Sequence, residues 1–182
     1  VRNQKLTEFK NFLWWIGAQI AYDEIDEIYD VILNGDGTSA GASNCFNGTP
    51  GTLAFSDLVH FSTSFGVPAQ LTHILASKND VEVILNMDEF QDPLAWRESE
   101  LYRRTGDYRA FRPVNARMVV VPNASDSKLA GLDHRFAIRE SVAQPLMIEA
   151  EKVIAQKFES AIVSKESVLS IMVEEAIGLL DY

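Results

Sequence analysis

Residues 5–33 read KLTEFKNFLWWIGAQIAYDEIDEIYDVIL, and how this stretch folds governs everything after it. It contains no proline, and Gly17 is its only glycine. Leu6, Phe9, Leu13, Ile16, Ile20, Ile25, Ile28 and Ile32 recur close to the spacing of one helix face. At 1.5 Å per residue the predicted helix is about 40 Å long. A compact chain of this size has a radius of gyration of ~16 Å, so a diameter of about 40 Å. The helix is therefore expected to cross the whole molecule, as a beam in something assembled from copies of itself. Asn34-Gly35-Asp36-Gly37 follows it with residues that tolerate positive φ, as a helix C-terminus requires.

Downstream the chain breaks into shorter pieces. The small, polar residues from Gly37 to Pro50-Gly51 predict a loop. Ser56 is placed to cap a short helix, Asp57 to Phe65, stopped by Gly66 and Pro68. Leu71 to Ala76 reads as a buried strand. Ser77 with Asp80 resembles a capping box that opens a helix through about Met87. Asp88 to Phe111 is irregular and rich in charge and aromatics (Phe90, Trp96, Tyr102, Tyr108, Phe111), the composition of a binding loop. Arg117 to Val121 predicts a strand and Asn123 to Ser127 a turn. Lys128 to Asp133 and Arg135 to Glu140 are strand-length pieces, and Leu146 to Glu149 alternates in polarity. Beyond Glu151 two readings stay open. Val153, Ile154, Phe158 and Ile162 fit a helix, while Lys157–Ser164 and Ser167–Met172 fit two strands around Lys165-Glu166. The fold class is α+β.

Composition narrows the function. At 182 residues the chain can form one good core, with room for an inserted subdomain. No run approaches eighteen apolar residues, so no membrane span is expected, and no secretion signal opens the sequence. The single cysteine, Cys45, excludes an intrachain disulfide and fits a reducing compartment. A net charge of −10 argues against general nucleic-acid binding, which needs a basic footprint. Arg97, Arg103, Arg104, Arg109, Arg112 and Arg117 form the one candidate basic patch. The start at Val1, without an initiator Met, reads as a processed product or part of something longer.

Motifs for catalysis fail on context. Gly37-Thr38-Ser39-Ala40-Gly41 matches the G-x-S-x-G nucleophile elbow, but that motif works where a strand turns into a helix, and here a helix precedes it. Ser125-Asp126-Ser127-Lys128 matches S-x-x-K without the later K-T-G strand. His60, His73 and His134 lie in unrelated segments with no metal-ligand spacing. Cys45 has no basic neighbour to lower its pKa. Asn34 and Asp36 hint at a calcium loop whose remaining ligands are missing. The expectation is therefore no enzyme, no cofactor and no metal, with a small hydrolase using Ser39 or Ser125 as the outside alternative.

One cluster stands out. Asp23, Glu24, Asp26, Glu27 and Asp30 crowd the C-terminal half of the first helix with no basic residue among them. A helix C-terminus is already negative, so such carboxylates are unfavourable by a few tenths of a kcal/mol each, roughly. They form either a solvated face or a surface to which another subunit brings arginines or lysines.

The order of these pieces resembles the major capsid proteins of tailed bacteriophages, the Hong-Kong-97-like fold. The likeness rests on three stretches. One runs from Ile16-Gly17-Ala18 into Leu33-Asn34-Gly35-Asp36-Gly37, similar to the family's spine helix and its glycine turn. The others are Lys128 to Ile138, and Leu146 through Lys152 and Phe158 through Ser164 to Leu180-Asp181-Tyr182, corresponding to β-hairpin elements of the family's peripheral domain. The resemblance implies a peripheral domain of residues 1–35 and 119–182 and an axial domain of 36–118, and it favours strands after Glu151. It also implies self-assembly into pentamers and hexamers of an icosahedral head around a phage genome, with scaffolding or portal proteins as further partners. Assembly would take place in the host cytoplasm, and the virion capsid would be the final location. An encapsulin-like compartment shell is the alternative on the same fold. The family's N-terminal arm and extended loop precede the spine helix, and this sequence begins almost at the helix.

Overall fold

A computed structural model describes residues 2–91, 104, 112–153 and 158–182, with side chains described from Asn11 onward except at 148, 150–153 and 158–161. The predicted beam is present and longer than expected: α1 (Arg2–Asn34) has 33 residues, about 50 Å at 1.5 Å each. It ends at Gly35, whose φ of +88° and N–H bond to the Val31 carbonyl (2.9 Å) close the last turn. A Cβ at Gly35 would lie 2.1 Å from the Ser39 carbonyl oxygen, so the following loop requires glycine there.

After the loop come α2 (Phe55–Thr63), β1 (His73–Ala76), α3 (Lys78–Leu85) and a single turn, α4 (Asp88–Gln91). Then follow β2 (Arg117–Val120), β3 (Lys128–Leu132), the long strands β4 (Ile138–Val153) and β5 (Phe158–Ile171), and β6 (Ile177–Asp181). Four strands make one sheet in the order β2-β1-β3-β6, with β1 parallel to β2 and antiparallel to β3. The hairpin β4–β5 is a separate antiparallel pair.

The four-stranded sheet carries a core on each face because its strands alternate. Ile74, Met118, Leu129 and Leu180 face α2 and α3, packing with Leu58, Phe61 and Ile84. Leu75, Val121, Ala130 and Ile177 face the other way, against Tyr29 and Ile32 at the end of α1. The sheet is thus the middle of three layers. Its strands come from both sides of residue 118 in the sequence.

Among the described side chains of α1, only those of its last turns join this core. Tyr29, Val31 and Ile32 are buried, whereas Trp14 and Trp15 are 76% and 60% exposed.

Several local expectations are corrected. The cap of α2 is Ala54, two residues before Ser56, because the buried Asp57 carboxylate at the third helical position accepts the Ala54 N–H at 2.9 Å. Ser77 does cap α3 by accepting the Asp80 N–H at 3.1 Å. Asp80 does not complete the box: its buried carboxylate accepts the Ser127 N–H (2.9 Å) and the Tyr182 hydroxyl (2.8 Å). Residues 134–137 turn instead of continuing as a strand, because Asp133 folds the chain around its own carboxylate. The stretch after Glu151 is strand where described, and β5 runs unbroken through Lys165-Glu166. The irregularity lies across from it in β4, between Val142 and Met147, where Pro145 cannot donate to a ladder. Of the irregular region from Asp88 to Phe111, Phe90 is a buried core residue packed edge-on against Phe55, with ring centres 5.4 Å apart. Trp96, Tyr102, Tyr108 and Phe111 fall outside the described residues, as do Arg97, Arg103 and Arg109.

Candidate functional site

The acidic face of α1 divides into carboxylates satisfied within the chain and carboxylates left to solvent. Glu24 meets Lys165 of β5 at 2.5 Å, and the same ammonium meets Glu140 of β4 at 2.6 Å. One lysine therefore ties the beam to the hairpin, and it holds the Glu140 carboxyl below its usual range. Asp26 takes the side-chain amide of Asn123 in the turn before β3. Asp30 bonds Asn34 (2.6 Å) and Asp23 bonds Gln19 (3.0 Å), both along the helix itself. Glu27 has no hydrogen-bond or ion-pair partner among the described residues. The cluster is thus partly spent on contacts within the subunit, while Asp23, Glu27 and Asp30 remain exposed.

Between α1 and the base of the hairpin lies a cavity of about 230 Å³, lined by Ile28, Leu132 and Leu169 with Glu27 and His134. His134 comes from a segment of sequence unrelated to that of His73. The fold instead sets their rings 5.4 Å apart, edge to face, across 61 residues of sequence. Thr72 Oγ1 lies 3.0 Å from His73 Nδ1 and 3.2 Å from His134 Nδ1, and accepts the His134 backbone N–H at 3.0 Å. Burial lowers the His73 pKa, and the charges of His134, Arg117 and Arg112 lower it further against an opposing Asp133. His60 is exposed on α2. Among the described residues no group of three or more His, Cys, Asp or Glu side chains is placed to hold a metal ion.

The remaining motifs turn out to build loops. Asp36, the suggested calcium ligand, accepts the backbone N–H groups of Thr38 (2.9 Å), Ser39 (2.6 Å) and Ile171 (2.9 Å). Those amides occupy its carboxylate, hold its pKa down, and pin the loop after α1 to β5. Ser39 sits in that loop, with no strand before it and no helix opening on it, so the G-x-S-x-G spelling describes a turn and not an elbow. Ser125 is in the exposed turn before β3, and Lys128 pairs with Asp181 at 3.4 Å. Burial pushes the Cys45 thiol pKa up, the direction of an unreactive cysteine.

No protein-family model matches the chain, and no curated protein matches it by sequence. Solved structures do match the fold. A crystal structure of a virus-like particle from Pyrococcus furiosus aligns with 86% of this chain at a TM-score of 0.57 and 11% identity. The capsid of an empty GTA particle, computed with C5 symmetry, aligns with 94% of it at a TM-score of 0.61 and 15% identity. This chain spans 63% and 65% of the lengths of those two chains, less than two thirds of each. The fold is mixed α+β and capsid-like.

Proposed function

We propose that this chain is a structural shell subunit of the Hong-Kong-97-like kind, a major capsid protein that assembles with copies of itself as pentamers and hexamers around a phage genome. The observation that carries the reading is a capsid-like fold over 94% of the chain, with a 33-residue helix whose last turns are anchored in the core and whose Phe12, Trp14 and Trp15 are exposed. Such a helix cannot be justified by its own subunit's core, but neighbouring subunits can cover it. A shell subunit also needs no active site, and an acidic one does not cling to packaged DNA that must leave. In this reading residues 1–35 and 119–182 form the peripheral part and 36–118 the axial part. Scaffolding and portal proteins are further partners. Assembly takes place in the host cytoplasm and the product is the virion head. Of the cluster Asp23, Glu24, Asp26, Glu27 and Asp30, the exposed Asp23, Glu27 and Asp30 mark a surface read by a neighbour.

A compartment shell enclosing a protein cargo is the second reading, favoured by the likeness to a virus-like particle. Negative-stain microscopy of the purified chain, and of any longer parent protein, tests both. Closed particles are expected, and a chain that stays monomeric at every concentration defeats the proposal. Nucleic acid inside the particles supports the head, and a co-purifying enzyme supports the compartment. Neither Ser39 nor Ser125 is expected to react with a serine-directed phosphonate.

A further inference from the structure

Two strand edges are left without a partner among the described residues. The first is β2, at the end of the four-stranded sheet. The Arg117 N–H donates to the Thr72 carbonyl and the Val121 N–H to the Ala76 carbonyl, both at 2.9 Å. By the alternation of a parallel ladder, Val119 also faces β1, so the amides and carbonyls of Met118 and Val120 point outward. A groove of about 510 Å³ runs along this edge, lined across from it by Tyr22 and Ile25 of α1 and by Lys78 and Arg117. Both cations are exposed, and Asp26 nearby is already taken by Asn123. The opposite edge of the sheet is closed: Cys45 donates its N–H to the Leu179 carbonyl at 2.9 Å, and Asn44 pairs beside β6.

The second open edge belongs to the hairpin. On the β5 side, Asp36 holds the Ile171 N–H and Glu24 holds Lys165, so α1 and its loop guard that edge. Among the described residues the β4 side has no strand neighbour but β5. It carries three glutamates, at 140, 149 and 151, between Arg139 and Lys152, and with Glu140 paired to Lys165 the stretch Met147–Glu151 is its acidic part. Pro145 interrupts this strand, and Met147 to Glu151 lies beyond it in unbroken register with β5. Two-stranded ribbons are marginal alone and gain from a third strand.

We propose that β2 of one copy accepts β4 of a second copy by strand addition, over Met147–Glu151, with Glu149 set against Lys78 and Arg117. In a chain of net charge −10, two cations flanking an open edge select an acidic strand. The contact joins two different surfaces, so it repeats from copy to copy as a ring or lattice requires. It rests on the proposed self-assembly in one respect only, that copies associate.

Charge exchange tests it, with sedimentation velocity and amide hydrogen exchange on the full chain. Arg117→Glu and Glu149→Lys should each cut the assembled fraction about tenfold, and the double variant should recover it. Lys78→Glu with Glu149→Lys serves as the second pair if Arg117→Glu misfolds. Val120→Pro removes an outward N–H while sparing the ladder to β1, and should also block assembly. The Met118 and Val120 amides should exchange about tenfold more slowly in the assembled protein. Singles that assemble like wild type, a folded double variant that stays impaired, or unprotected amides in the particles overturn the edge contact while leaving the shell reading intact. Open or small oligomers with protected Met118 and Val120 amides overturn the shell reading alone, and a strictly monomeric chain overturns both.

Discussion

Asp133 is fully buried and accepts the Gln70 N–H at 2.9 Å, the Arg135 N–H at 3.1 Å and the Arg135 guanidinium at 2.7 and 3.0 Å. The Arg135 side chain beside it holds its carboxyl well below the usual carboxylate range. Its folded pKa is below the unfolded one, so its stabilisation is present above the unfolded value of about 3.9 and is lost as pH falls through the folded value. Asp133→Ala strands buried donors and should cost about 2 kcal/mol at neutral pH, and it should flatten the acid limb of a urea-unfolding series. His73 acts in a higher window. Its folded pKa is also depressed, so the unfolded chain takes up the proton first and stability declines as pH drops below about 6.5. In His73→Gln that decline should be absent, as thermal melts between neutral and mildly acidic pH will show. At the alkaline end, burial pushes Tyr29 up to about 12.

Among the elements, α1 and the hairpin do opposite things with their exposed surface. Gly17 lies mid-helix with nothing within 4 Å of where a Cβ would be. Gly17→Ala should therefore stabilise the subunit by about 0.5–1 kcal/mol, measured by chemical denaturation, by restricting the unfolded chain and favouring helix. Gly131 in β3 is the contrast, since a Cβ there would meet Phe61 at 2.5 Å and Leu71 at 2.7 Å. The hairpin carries its apolar side chains outward, with Ile162 and Val168 64% and 63% exposed. Exposed β-branched side chains on a ribbon face are ordinary where a neighbour covers that face and an aggregation liability where none does.

For the whole molecule, the exposed part of the acidic cluster is the surface to probe. Asp23→Lys with Glu27→Lys leaves the Glu24–Lys165 tie and the Asp26–Asn123 bond in place. The double variant should melt like wild type yet yield about tenfold fewer particles by light scattering. Particles in normal yield would strip the acidic face of its proposed role. No helix among the described residues is long and apolar enough to cross a membrane.

The long helix, its glycine stop, the capping serine of α3 and strands β1, β2 and β3 were all legible in the linear chain. Their signals are local: a periodicity, a side chain three residues from an amide, a run of branched residues. The ambiguity after Glu151 was not local, because its apolar residues satisfy a helix face and a ribbon alike, and pairing with β4 selects the ribbon. The same limit hid the Lys165 tie between Glu24 and Glu140, the meeting of His73 with His134, and the turn that Asp133 gathers around itself. Each joins residues distant in sequence, and only the folded backbone brings them within bonding distance. Sequence alone thus determined that this protein has a long helical beam and short strands. Tertiary structure decided which carboxylates are spent inside the subunit and which edges stay open, because burial and pairing are properties of distances that a linear order of residues does not contain.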